Sequence, residues 1–313
     1  MADYQWPQAD NRSLIGKRIS RLDGPIKSSG RATYTYDVQR PGLLFGKLVL
    51  SPHAHARIVS IDTSSAERMP GVQAVDVIRD AGQEVLWAGQ EILAVAAETE
   101  EQARDAARAV KITYEKLPHL VSDVEPAQAG DRAEDLAEEV TGDPEQGFRE
   151  ADATIEGRYG SPVITHCCLE SHGQVTEWEG ENLTAWASTQ VVTNLASQFA
   201  QGLEVPAANV RTITPMMGGG FGSKFQADTW GLSCARLAKQ AGRPVKMMLE
   251  RDQELMVAGG RPSIHARVRV GARRDGTLTA WRSDSWGTGG RGATGIPSLP
   301  YIFQVPNKRT HHT

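Results

Sequence analysis

Residues 186–225 read WASTQ, VVTNLASQFAQG, LEVPAANV, RTITP and MMGGGFGSKF, and this stretch sets the fold class. It follows an alternating apolar run at Asn182–Ala187, which predicts a strand. Val191, Leu195 and Phe199 then fall on one face of a helix over residues 191–201, with Gly202 as its expected stop. Residues 210–214 predict a second strand, the glycine run a tight loop, and residues 226–240 a second helix ending at Gly242. Strands and helices alternate here, with no helical bundle pattern, which points to an α+β architecture.

The loop Met216–Phe225 (MMGGGFGSKF) is the most informative local feature. Consecutive glycines between a strand and a helix let the backbone bend sharply and let a ligand approach main-chain N–H groups. Two phosphate-binding readings fail on inspection. A Walker loop needs Gly before its Lys and Ser or Thr after it, whereas Lys224 stands between Ser223 and Phe225. A dinucleotide fingerprint starting at Gly218 needs glycine at 223, which is serine.

Working outward, residues 42–50, 56–62, 72–78 and 91–97 predict short strands, with a Pro70-Gly71 turn between the second and third. Thr99 with Gln102 three residues on forms a capping-box pattern at the head of a helix over 100–109, followed by a half-buried strand at 110–114. Residues 123–145 are rich in Ala, Asp, Glu and Gly without a period, and predict a surface linker or a peripheral helix. Beyond them, Thr154–Tyr159 predicts a strand, and Ile264–Val270 turns at Asp275-Gly276 into Leu278–Trp281 as a hairpin.

Bulk properties narrow the function classes. The 313 residues suit two domains, and a formal net charge of −4 gives no electrostatic attraction to nucleic acid. No run of about 18 apolar residues exists to span a membrane. The three cysteines, Cys167, Cys168 and Cys234, have no CxxC spacing, so neither zinc nor an iron–sulfur cluster is expected in this chain. That usage suits the cytoplasm, and export bound to a signal-bearing partner remains compatible with it.

Taken with the glycine loop, several landmarks in order resemble the molybdenum hydroxylase family of xanthine dehydrogenases and aldehyde oxidases. They are GRATYTYD at 30–37, LSPHAHA at 50–56, HCCLESHG at 166–173, WASTQ at 186–190, GGGFGSK at 218–224, Arg261–Ile264, and LPYIFQVPN at 299–307. The resemblance implies an N-terminal arm over 1–27, an α/β-hammerhead domain over 28–122, a linker over 123–149, and the first molybdenum-cofactor-binding domain over 150–313. It also implies molybdopterin as cofactor. Gln190 ends the STQ motif, whose amide approaches the metal's oxo group; Gly219, Gly220, Phe221 and Gly222 match the loop beside metal and pterin. Phe221 has ordinary core packing as its alternative role. Phe225 stands where purine-oxidising members carry a glutamate, which turns the expectation from xanthine-like substrates toward an aldehyde or an apolar N-heterocycle.

His166, Glu170 and His172 have spacings that superficially suggest metal ligands. The family holds its metal through pterin sulfurs, so these three are expected to be structural or pocket-lining, and no protein metal ligand is assigned. His311 and His312 are expected to be exposed and incidental. The family's second cofactor domain, with its general base, does not follow Asn307, so no catalytic residue is assigned either. Expected partners are a complementing C-terminal chain, a [2Fe–2S] subunit and an FAD subunit, serving hydroxylation of a small molecule with water-derived oxygen. The alternatives are a truncated, non-catalytic remnant and a pterin-binding assembly module. An incomplete cleft is expected to leave an exposed apolar face.

Overall fold

The computed structural model describes residues 6–136, 138–288, 299–300 and 302–313. Of the stretches read above, residues 1–5 of the N-terminal arm and Tyr301 within Leu299–Asn307 lie outside the described residues. The architecture is mixed helix and strand, as the sequence predicts.

A seven-stranded sheet forms the centre. Its order across the sheet is Val210–Ile213, Asn182–Ala187, Gly173–Glu179, Val245–Met248, Leu44–Leu50, Glu91–Ala97 and Val72–Val77. The first two strands run parallel, as do Val245–Met248 and Leu44–Leu50; the remaining neighbours are antiparallel. Strands from both ends of the chain thus share one hydrogen-bonded layer. The parallel seam joins Leu44 to Val245 and Phe45 to Lys246.

Side-chain alternation gives this sheet two faces to cover. On one, helix Asp228–Ala241 packs Trp230, Cys234, Leu237 and Ala238 against Leu44, Leu48, Ala94, Ala96 and Met247. Beside it, helix Val192–Leu203 lays Leu195, Phe199 and Ala200 over Leu183, Ala185 and Val210. Each large apolar side chain buried in this way contributes about 1.5–3 kcal/mol. On the other face, helix Glu100–Ala109 covers Leu93 and Val95 with Ala106. Its Thr99 side chain accepts from Gln102 N, and Gln102 returns a bond to Thr99 N, so the predicted capping box is present. Such a cap contributes about 1 kcal/mol.

A five-stranded sheet has the order Glu139–Thr141, Lys308–His312, Leu278–Trp286, Ile264–Ala272 and Ala153–Ser161. It contains the predicted hairpin, with longer strands than the sequence suggested. A three-stranded sheet joins Glu84–Val85, Ala56–Asp62 and Lys111–Lys116.

Several expectations are corrected. The helix begun at Val192 runs through Gly202 and stops at Glu204, which adopts φ 57° and serves as a left-handed cap. Gly202 is there for packing: a Cβ would sit 2.6 Å from Leu232. Within 123–149, read as a surface linker or a peripheral helix, there is a helix at Pro144–Arg149 and, in addition, an edge strand at Glu139–Thr141 that the sequence did not predict. Asp143 caps that helix by accepting from Gln146 N at 2.9 Å. His311 and His312 are half-buried within the strand Lys308–His312, and His312 Nδ1 lies 2.9 Å from Ser285 Oγ, because the neighbouring strand covers them. The strand Gly173–Glu179 and the helix Arg251–Val257 were not predicted at all.

Candidate cofactor-binding site

Three segments converge on the glycine loop: residues 34–37, 166–172 and 186–190. Gln190 faces outward between the strand Asn182–Ala187 and the helix Val192–Leu203, and its carboxamide oxygen is tied down. Oε1 accepts from the main-chain N–H groups of Gly222 at 3.0 Å and Lys224 at 3.3 Å. With the oxygen so held, the amide NH2 is the group turned away from the loop, a neutral donor.

The loop fits tightly around that side chain. A Cβ on Gly220 would lie 2.4 Å from Gln190 Oε1, so no larger residue fits there without displacing Gln190. Gly222 differs, with φ +95° and open space beside it; its nearest neighbours are His166 Nε2 and Phe225 Cε2, both 4.0 Å from a Cβ position. That opening is a cradle a side chain would fill. Phe221, at φ 52°, is 72% exposed, which rules out its alternative role in core packing. Phe225 is also exposed, and Leu169, next to Glu170, is 90% exposed. These side chains give the site an apolar rim, in line with the exposed face expected from the sequence.

Beneath the rim lies a buried polar floor. Glu170 Oε2 accepts from Ser188 Oγ at 2.8 Å and from Gly218 N at 2.7 Å, while Oε1 accepts from Thr35 N at 3.0 Å. Lys224 is buried; its ammonium donates to Ser188 Oγ at 2.6 Å and to the Glu170 carbonyl at 2.8 Å, and stands 3.8 Å from Glu170 Oε2. Burial pushes the Lys224 pKa below its ordinary value, opposed by the Glu170 charge.

His172 pairs with Glu254 on the unpredicted helix, at 2.9 Å from Nδ1 to Oε1, and both are buried. Burial pushes the Glu254 carboxyl up, but the hydrogen bonds and charge of His172 outweigh it and hold it below the usual range. Cys168, His172 and Glu254 bring their ligand atoms within 4.8 Å of one another, the one grouping with metal-ligand chemistry among the described residues. Two cations stand near it. Lys224 interacts electrostatically with both Cys168 and Glu254, and Arg251 donates to the Cys168 carbonyl at 2.8 Å. His166 is shifted below its ordinary value, first by burial and then by His172 and Arg261.

The sequence therefore pointed to Gln190, the glycines and Phe225, which the structure brings together. It missed Lys224 and Glu254 as buried partners, and Ser188 as the hydroxyl between Glu170 and Lys224. The family model for the molybdopterin cofactor-binding domain matches residues 126–305, and that for the aldehyde oxidase and xanthine dehydrogenase a/b hammerhead domain matches 29–82 and 76–118. The chain belongs to this molybdenum hydroxylase family. It is 33% identical to the molybdenum-binding subunit of Escherichia coli K12 aldehyde oxidoreductase, over 96% of this chain and 44% of that protein. It is also 33% identical to mouse xanthine dehydrogenase/oxidase, over 88% of this chain and 22% of that one. The aldehyde oxidoreductase of Desulfovibrio gigas superposes with a TM-score of 0.81 at 26% identity, covering 99% of this chain and 39% of the other. The chain thus spans less than half the length of these relatives. No helix among the described residues is long and apolar enough to cross a membrane.

Proposed function

We propose that this chain supplies one wall of the molybdenum-cofactor site in an enzyme that hydroxylates an aldehyde or an apolar N-heterocycle. The observation that carries this reading is Gln190, whose carbonyl oxygen is fixed by the loop so that its NH2 faces out beside the open cradle at Gly222. The residues present fit molybdopterin: a neutral donor for an oxo group, a loop backbone stripped of side chains at Gly219, Gly220 and Gly222, and an adjoining space that a Cβ would fill. When bound, the cofactor supplies the two-electron redox centre for hydroxylation.

This chain's own residues bind and orient. Gln190 orients by donating without adding charge. Phe221 and Phe225 give the rim a hydrocarbon surface, and neither can take or give a proton. An apolar Phe225 favours a substrate whose reacting carbon lies near a hydrocarbon surface over a purine, which needs hydrogen-bonding partners along its edge. No side chain of this chain is assigned as the general base. Glu170 is fully engaged by donors and buried, so it is not free to move a proton. The base and the opposite wall of the site are proposed to come from polypeptide outside these 313 residues, and the electron path from [2Fe–2S] and FAD subunits.

The test is the molybdenum and pterin content of the tagged chain purified from its native host. Near-stoichiometric pterin, with turnover of aromatic aldehydes, is the expected result. Absence of pterin, in cells that load other molybdoenzymes normally, rejects the proposal and leaves a non-catalytic remnant. Pterin held without turnover when the complementing polypeptide is present favours an assembly module.

A further inference from the structure

Lys224 grips three consecutive residues of the STQ segment through every polar group it has. Its ammonium donates to Ser188 Oγ, its carbonyl accepts from Thr189 Oγ at 3.2 Å and from Gln190 N at 2.8 Å, and its N–H donates to Gln190 Oε1. Glu170 does the complementary job from the other side. Its carboxylate gathers donors from three separate segments: Thr35 ahead of the first sheet strand, Ser188, and Gly218 at the mouth of the loop. The Ser188 hydroxyl links the two, donating to the carboxylate and accepting from the ammonium.

We infer that Glu170 and Lys224 are a positioning pair that fixes Gln190 and the glycine loop in register for the cofactor, a role beyond holding the fold together. The inference rests on the proposed cofactor site. A buried ion pair is a poor source of net stability, because desolvation offsets most of its attraction and apolar residues of similar volume do as well or better. What the pair supplies instead is direction. Oε1 accepts from the Thr35 segment and Oε2 from both the Ser188 and Gly218 segments, so a shift of any one segment breaks a charge-assisted bond. An amide at 170 cannot replace it, since all three partners are donors and an amide accepts through one oxygen only. Neither side chain reaches the open face of the loop; both act through Gln190 and the loop backbone.

The test separates position from stability. The chain is co-purified from its native host as wild type, as Glu170→Leu/Lys224→Met, and as Ser188→Ala, reading the thermal midpoint and, separately, bound pterin by fluorescence after oxidative release. The double variant leaves the Thr35 and Gly218 N–H groups without their acceptor, so it is expected to fold with a lowered midpoint and to retain pterin about 10- to 100-fold less well, the range for partners that orient a metal site from behind. Ser188→Ala leaves the ion pair but removes its link, and is expected to lose pterin several-fold faster on dilution with the midpoint unchanged. A folded double variant that holds pterin like the wild type overturns the inference. If the double variant fails to fold, unchanged pterin retention by Ser188→Ala overturns it instead. A wild-type chain without pterin defeats the cofactor reading itself, a result distinguishable from either.

Discussion

The floor and the rim of the glycine loop are built from adjacent residues with opposite fates. Lys224 is buried and Phe225 next to it is exposed; Glu170 is held on every side and Leu169 before it is 90% exposed. On the floor, each polar atom named has a partner from a distant part of the chain. On the rim, large apolar side chains face outward with nothing over them. The difference teaches that local sequence sets which residues alternate, while long-range charge pairing decides which of them turns inward. It also divides the labour: the floor fixes geometry, and the rim is left to meet cofactor, substrate or a further polypeptide.

Substitutions on the two sides should differ sharply. Lys224→Met alone leaves the Glu170 carboxylate buried without its counter-ion, and is expected to cost about 3–5 kcal/mol in denaturant unfolding; a wild-type unfolding curve would erase the distinction between floor and rim. Gly220→Ala drives a methyl against Gln190 Oε1, and overpacking of this kind costs about 1–3 kcal/mol. The same variant should weaken pterin retention more than Gly276→Ala in the distant hairpin turn, where a Cβ meets nothing within 4 Å.

A smaller effect tests the His172–Glu254 pair. The folded Glu254 carboxyl lies below its ordinary value of 4.5, so the native state binds its proton less readily than the unfolded chain does. Its stabilising contribution is therefore present above that ordinary value and is lost as pH falls through the lower folded one. Thermal midpoints measured from neutral pH into acid should fall less steeply in Glu254→Gln than in the wild type, and parallel slopes would count against the pairing. Smallest of all, Phe221→Ala and Phe225→Ala should move stability by no more than about 0.5 kcal/mol, as exposed positions do. A large loss at either would mean that the rim belongs to the core.

Much of this was legible in the sequence because the signals are local. The capping box at Thr99, the stripe of Leu195 and Phe199, and the hairpin turn at Asp275-Gly276 each lie within a few residues of the element they specify. The missed elements lack such signals. Gly173–Glu179 lies mid-sheet with Gln174 and Thr176 buried, which hides the polar–apolar alternation of a half-exposed strand. Arg251–Val257 is too short for a helical period to emerge, and His311 and His312 are covered only by the neighbouring strand, which the local sequence does not reveal. In the site, motif spacing revealed Gln190 and the glycines. The partners of Lys224 and Glu254 did not emerge, because they lie 54 and 82 residues away along the chain.

The seam between Leu44–Leu50 and Val245–Met248 has a consequence for how the protein is made. At ribosomal speeds of about 5–20 residues per second, the later strand emerges roughly ten to forty seconds after the earlier one. Throughout that interval the nascent chain carries an apolar strand whose edge has no hydrogen-bonding neighbour, a template for unwanted pairing with other chains. Biogenesis of this protein should therefore depend on chaperone occupancy during synthesis, and slowing translation between codons 120 and 240 should lower the soluble yield.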